Sequence, residues 1–157
     1  MFHPFRNLCS LLAILFFLFL AVASTSVKNM SFTTGGGQIP PEFNTFQDTL
    51  LVVSHSENWG YNHYLKKNFR ENYTGPYKII SSKEIENYPV DEYRYIFDNS
   101  LSYTTTRYHY STTPTSATFT ITDRKLEKDY TTPSSSKYSK LMRAYIKALE
   151  ENRKKSM

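Results

Sequence analysis

The stretch from Asp48 to Ser81, DTLLVVSHSENWGYNHYLKKNFRENYTGPYKIIS, limits what this chain can fold into more than any other. Leu50-Leu51-Val52-Val53 is an unbroken apolar run, the pattern of a strand buried on both faces. Ser54 to Gly60 is a polar loop in which Ser56 or Asn58 can cap the helix that follows. That helix is expected over about Trp59 to Tyr73. Tyr61, Leu65 and Phe69 recur at helical spacing with Tyr64 beside them, and Lys66, Lys67, Arg70 and Glu71 take the other side. Gly75-Pro76 ends it, because Gly suits a left-handed cap and Pro cannot continue a helix. Tyr77 to Ser81 then makes a second strand, parallel to the first because a helix crosses over between them.

Upstream, the residues read as export signal and tether. Leu11 to Ala23, LLAILFFLFLAVA, is an apolar run of 13 residues. It fits the ~7–15 residues of a signal-peptide core and falls short of the ~20 that span a bilayer. Ala21-Val22-Ala23 is the small-x-small pattern of a cleavage site, so residues 1–23 are expected to leave after Ala23. The alternative is a retained N-terminal signal anchor, since the uncharged stretch extends from Asn7 to Val27. Cys9 precedes the apolar core and is the only cysteine, so the chain beyond Ala23 can build neither a disulfide nor a thiolate metal site. An exported domain without disulfides must rely on its core, which suits a bacterial envelope better than eukaryotic secretion. Asn29-Met30-Ser31 and Asn72-Tyr73-Thr74 match a glycosylation pattern so short that chance explains it.

Cleavage leaves 134 residues, enough for one domain, with a formal charge of +4 once Arg6 is removed. That surplus is scattered along the sequence, which argues against a nucleic-acid partner. Residues 24–46 read as a flexible leader, because Gly35-Gly36-Gly37 and Pro40-Pro41 interrupt a segment without apolar period, with Phe43 and Phe46 able to pin its end to the domain. The glycines lack the Lys-Ser/Thr pair of a phosphate loop. Residues 47–153 form the domain and 154–157 a tail.

Beyond the second strand, Ser81-Ser82-Lys83-Glu84 resembles a capping box and starts a short helix that runs through Asn87. Tyr93 to Asp98 is a third strand, broken by Asp98-Asn99-Ser100. A hairpin follows, Thr104 to Thr112 and Ser116 to Asp123, turning around Pro114. Tyr108, Tyr110, Phe119 and Ile121 would line its core side, while Arg107, His109, Thr118, Thr120 and Thr122 would face water. Leu126 to Pro133 has no assignable pattern. Tyr138, Leu141, Tyr145 and Leu149 form the apolar stripe of a last helix over about Lys137 to Asn152. The fold class is therefore α/β to α+β: a small mixed sheet with an N-terminal βαβ unit, an antiparallel hairpin and a C-terminal amphipathic helix.

Sites in sheets with parallel strands collect past the carboxyl ends of the strands. Here that place holds His55, Glu57 and Trp59, an imidazole, a carboxylate and an indole within five residues. They can bind a ligand, or His55 can act as a general base. Against this stands a plain solvated loop with Trp59 folded onto the core, because no partner group is identifiable from spacing. His55, His63 and His109 lack metal-ligand spacing, so no metal is expected, and nothing calls for a cofactor. No serine lies in a Gly-x-Ser-x-Gly elbow. Tyr108 and Tyr110 make the Thr/Tyr-rich hairpin a second candidate surface, since Tyr joins apolar area to a polar tip. An ordinary antiparallel edge explains that hairpin equally well.

The succession DTLLVV, YNHYLKKNF, GPYKIIS and YRYIFDN, followed by the Thr/Tyr hairpin and the last helix, resembles small exported bacterial proteins of unassigned function. The resemblance covers about residues 42 to 152. It implies one compact domain in the periplasm or outside the cell and transfers no catalytic residue. Two functional readings follow. The preferred one is a non-catalytic envelope or extracellular binding or assembly module, with a protein or glycan partner, no nucleic acid, and membrane contact only through an uncleaved signal segment. The alternative is a small hydrolase or ligand-binding enzyme sited at the loop after the first strand.

Overall fold

One five-stranded mixed sheet carries two helices on one of its faces. The computed structural model describes residues 30–105 and 112–155, with side chains outside 103–115. The expected signal segment 1–23 and its cleavage site, as well as Arg107, Tyr108, His109 and Tyr110, lie outside the described residues. The elements run β1 (Leu50–Ser54), α1 (Trp59–Asn72), β2 (Tyr77–Ser81), β3 (Tyr95–Thr105), β4 (Thr112–Asp123), β5 (Lys128–Thr131) and α2 (Tyr138–Lys154). Short 3-10 helices occupy Pro41–Thr45 and Ser82–Asn87. This is an α+β domain with the expected βαβ unit and C-terminal helix.

Strand order is β2-β1-β3-β4-β5. β1 is parallel to both neighbours, with Val52 opposite Ile79 on one side and Phe97 on the other. Its four apolar residues are fully buried because both sheet faces are covered. Leu50 and Val52 join the main core under the helices. Leu51 and Val53 join a smaller cluster with Ile80 and Ile96, closed by Ile85, Tyr88 and Tyr93. Glu84 starts that cover by accepting the Ser81 backbone N–H at 2.7 Å.

α1 begins at an Asn58 cap whose side chain accepts the Tyr61 N–H, and it buries Tyr61, Leu65 and Phe69. α2 buries Leu141, Tyr145 and Leu149. The helices run parallel to one another: Tyr64 meets Tyr138, Asn68 meets Met142, and Thr74 meets Glu150 further along. Phe97 on β3 stands at the centre of the core, 5.0 Å from the Phe69 ring and 5.7 Å from that of Phe119.

Three expectations change. β3 does not break at Asp98-Asn99-Ser100. It continues to Thr105 because Thr120, Phe119 and Thr118 pair with those residues and override their turn preference. The hairpin is therefore β3 and β4, and its connection falls within residues 106–111, outside the described residues. Pro114 sits within β4 opposite Tyr103, where the register shifts. A residue without an N–H is accommodated at such an irregularity. The unassigned stretch after Leu126 contains edge strand β5, reached through a turn in which Glu127 takes φ 50°. Asp123 Oδ1 closes that turn by accepting the N–H groups of Lys125 and Leu126.

The segment read as a flexible leader is described from Met30 onward, and there it is packed. Phe32, Ile39, Phe43 and Phe46 are buried in the main core. The Phe32 ring meets Tyr145, and the Tyr145 hydroxyl donates to the Gln38 carbonyl. The pinning expected of Phe43 and Phe46 is present, whereas Phe32 and Ile39 follow no helical or strand period and pattern alone does not reveal their burial. Among the described residues, no helix is long and apolar enough to cross a membrane.

Candidate functional site

The loop leaving β1 splits into two groups of side chains with different surroundings. The first is anchored. His55 follows the last residue of β1, and its backbone N–H donates to Asn62 Oδ1 at 3.0 Å while its carbonyl accepts from Asn62 Nδ2 at 2.7 Å. Asn62, in the first turn of α1, thus holds the loop to the helix with both halves of its amide. The His55 ring lies 5.3 Å from that of Tyr61. Its Nε2 is 2.9 Å from Asp98 Oδ1, and both side chains are 36% exposed.

Asp98 also accepts the Asn99 N–H at 2.7 Å. It sits one residue beyond Phe97, which pairs with Val52 of β1. Parallel pairing of β1 and β3 therefore carries the carboxylate to the same end of the sheet as His55. Tyr61 completes the group from below, donating its hydroxyl to the Val53 carbonyl at 3.1 Å. Burial, aided by the negative charge of Asp98, pushes this phenol well above its ordinary range and keeps it a neutral donor. Ser54, one of the two serines that flank His55, donates to the Ile80 carbonyl at 2.9 Å. A carboxylate within hydrogen-bond distance of an imidazole orients the ring, the arrangement that a general base requires. Asp98 was missed by sequence reading because it lies in a stretch that reads as a turn.

The second group is exposed. Trp59 does not fold onto the core: its accessibility is 81%, the highest of the large apolar residues described. It stacks on His63 one helical turn later, with centroids 5.7 Å apart and planes at 24°. His63 contacts Tyr64 edge-on, and Tyr64 contacts Tyr138 at the start of α2. The result is an aromatic ridge, Trp59-His63-Tyr64-Tyr138, across the amino ends of the two parallel helices. Glu57 is exposed beside this loop. Of the residues singled out from sequence, His55 belongs to the anchored group, Trp59 to the ridge, and Tyr108 and Tyr110 lie outside the described residues. His63 was weighed only as a metal ligand, yet its spacing from Trp59 is that of helical neighbours. Among the described residues, no three His, Cys, Asp or Glu side chains converge as a metal site would require.

No known protein family matches this chain, and no curated protein does. Among solved structures, the chain is similar to a PelC dodecamer from Paraburkholderia phytofirmans, with a TM-score of 0.40 at 15% identity, over 66% of this chain and 88% of that one.

Proposed function

We propose that this protein is a non-catalytic binding or assembly module of the cell envelope or extracellular space. On this reading it engages a glycan or protein partner through the Trp59 ridge. The observation that carries this is an indole 81% exposed on a regular helix, stacked on His63 and continued by Tyr64 and Tyr138. Water contact of that much apolar ring is unfavourable, and a flat aromatic surface is relieved by stacking on a sugar face or a partner side chain. The envelope part of the proposal rests on the apolar segment Leu11–Ala23 and its Ala21-Val22-Ala23 ending.

Trp59 is the only tryptophan, so the chain reports on its own proposed site. Titrating the chain from Ser24 with solubilised cell-wall glycan and with purified envelope proteins should shift tryptophan emission to the blue for a true partner. Trp59→Phe or Tyr64→Ala should weaken the same interaction in a pull-down while the far-ultraviolet circular dichroism stays unchanged. A partner that binds without changing the emission, and equally well after Trp59→Ala, would refute the ridge.

A second reading is favoured by one observation, the 2.9 Å contact between His55 and Asp98 at the strand ends. It makes the protein a small hydrolase with His55 as general base. Turnover of an ester or glycoside substrate that vanishes in His55→Ala and falls in Asp98→Asn would support it. Turnover unchanged by His55→Ala would exclude it.

A further inference from the structure

We infer that the outer face of the helix layer is a docking surface for anionic phospholipid headgroups. Charge is divided between the helix layer and the rest of the domain. Residues 59–72 and 137–155, the two helices with their flanks, carry ten Lys or Arg against three Glu. The rest of the described chain carries six Lys or Arg against eleven Asp or Glu. The scatter of charges along the sequence hides this division, which appears only when α1 and α2 are laid side by side on one face of the sheet.

The basic groups that matter are accessible. Arg70 on α1 and Lys140, Arg143 and Lys147 on α2 are all exposed. By contrast, the cover of the other sheet face holds Glu84, Glu86, Asp91 and Glu92, also exposed. A planar layer of two parallel helices with cations outward suits a planar anionic surface, where each Lys or Arg adds a similar increment of attraction. An acidic membrane would repel the opposite face.

The entry of the chain points to the same side. Met30 and Phe32 pack in the core beneath the helices, and Phe32 meets Tyr145 of α2. Only six residues separate Met30 from Ala23, the end of the apolar run. Six residues reach roughly 20 Å when fully extended. A segment retained in the bilayer up to Ala23 would therefore keep the helix layer within reach of the headgroups. Docking of this kind would leave the Trp59 ridge at one end of the layer and orient the module relative to the membrane.

The test uses the chain from Ser24, which contains every described residue and lacks the apolar run. It should co-sediment with phosphatidylglycerol-containing vesicles, not with pure phosphatidylcholine vesicles, and high salt should release it. The triple variant Arg70→Glu, Lys140→Glu, Lys147→Glu should bind such vesicles at least about tenfold more weakly. Lys83→Glu, Lys125→Glu, Lys128→Glu makes the same change of total charge outside the helices and should retain at least half the binding. Circular dichroism of both variants checks that they fold. Equal loss in the two triples would show a net-charge effect and overturn the inference. So would vesicle binding indifferent to lipid charge, or binding of soluble acidic polysaccharide or protein with none to vesicles. Trp59→Ala should keep its vesicle binding, so failure of this inference is distinguishable from failure of the ridge.

Discussion

Arg153 Nε lies 3.0 Å from Glu150 Oε2 with side chains only 6% and 8% exposed, so the last turns of α2 hold an ion pair shielded from water. The Thr74 hydroxyl, from the turn after α1, donates to Glu150, and Arg153 Nη2 approaches the same hydroxyl at 3.0 Å. Burial alone would push the Glu150 carboxyl up. Hydrogen bonds from Arg153, Thr74 and Lys154 outweigh it and bring the value down to about 2. Glutamate in an unfolded chain titrates near ~4.3, so the stabilisation is complete above that pH and is lost as pH falls towards 2. Its size is on the order of 3 kcal/mol. Glu150→Gln should therefore cost about 2–4 kcal/mol at neutral pH, because it leaves Arg153 buried without a counter-charge. The wild type should lose its advantage over the variant between pH about 4.5 and 2. Urea unfolding at a series of pH values checks this, and equal stability at pH 7 would show that the pair contributes nothing.

Gly75 adjoins the same network. A Cβ at this position would lie 2.9 Å from Arg153 Nε and 2.9 Å from Cε1 of the Tyr73 ring. Tyr73 is buried and lies under the Arg153 guanidinium, 5.6 Å from ring centroid to Cζ, so neither neighbour retreats freely. Gly75→Ala should destabilise the protein by about 1–3 kcal/mol through this overlap. Since the methyl and the carboxylate act on one guanidinium, Gly75→Ala and Glu150→Gln should couple by at least about 0.5 kcal/mol. Strict additivity in a double-mutant cycle would separate the two effects.

What sequence reveals here follows the range of the interactions. β1, α1 and β2 are legible because an unbroken apolar run, a helical stripe and a Gly-Pro stop are local signals. Asp98-Asn99-Ser100 reads as a turn for the same local reason, and only pairing with Thr120, Phe119 and Thr118 shows otherwise. β5 contributes one buried residue, Tyr130, too few for an alternation to register. Gln38 and Tyr145 are 107 residues apart, beyond any periodic pattern. At the candidate site, His55 is found from its place after β1, whereas its partner Asp98 comes from 43 residues away. Trp59 gave a usable signal that its apolar character conceals: it falls outside the Tyr61-Leu65-Phe69 stripe and so points away from the core.

The packing of residues 30–46 makes a prediction about what holds the domain together. Phe43 is fully buried, with its ring 5.4 Å from that of Phe46 and 5.3 Å from that of Tyr95. Pro41 starts the 3-10 helix that carries it, and Glu42 in that helix pairs with Arg94. Phe43→Ala should cost about 3–5 kcal/mol, as for any large aromatic removed from a closed core. Glu42→Ala, at an exposed pair, should cost under about 1 kcal/mol. Thermal unfolding of the two variants distinguishes a structural segment from a tether, since a tether would tolerate both.

Asn62 provides the last test, because it decides whether the loop after β1 is held or free. Its Oδ1 accepts the His55 N–H and its Nδ2 donates to the His55 carbonyl, which also accepts the Asn58 backbone N–H at 3.0 Å, so it is the His55 N–H that relies on this side chain. Alanine would leave the His55 N–H to water in an open loop or unsatisfied in a closed one, while the carbonyl keeps the Asn58 N–H, and the loop should open at His55. The expected cost is about 1–2 kcal/mol, the value of two partly exposed hydrogen bonds. The local consequence is larger than the global one. Amide exchange at His55 should accelerate about tenfold or more in Asn62→Ala, while exchange at Val52 follows only the small change in overall stability. The 2.9 Å contact from His55 to Asp98 should loosen with it, since the ring is aimed by the backbone that Asn62 fixes. Asn62→Asp keeps an acceptor for the N–H and loses the donor, so it should fall between wild type and alanine. Exchange at His55 unchanged in Asn62→Ala would mean that Asp98 alone holds the imidazole in place.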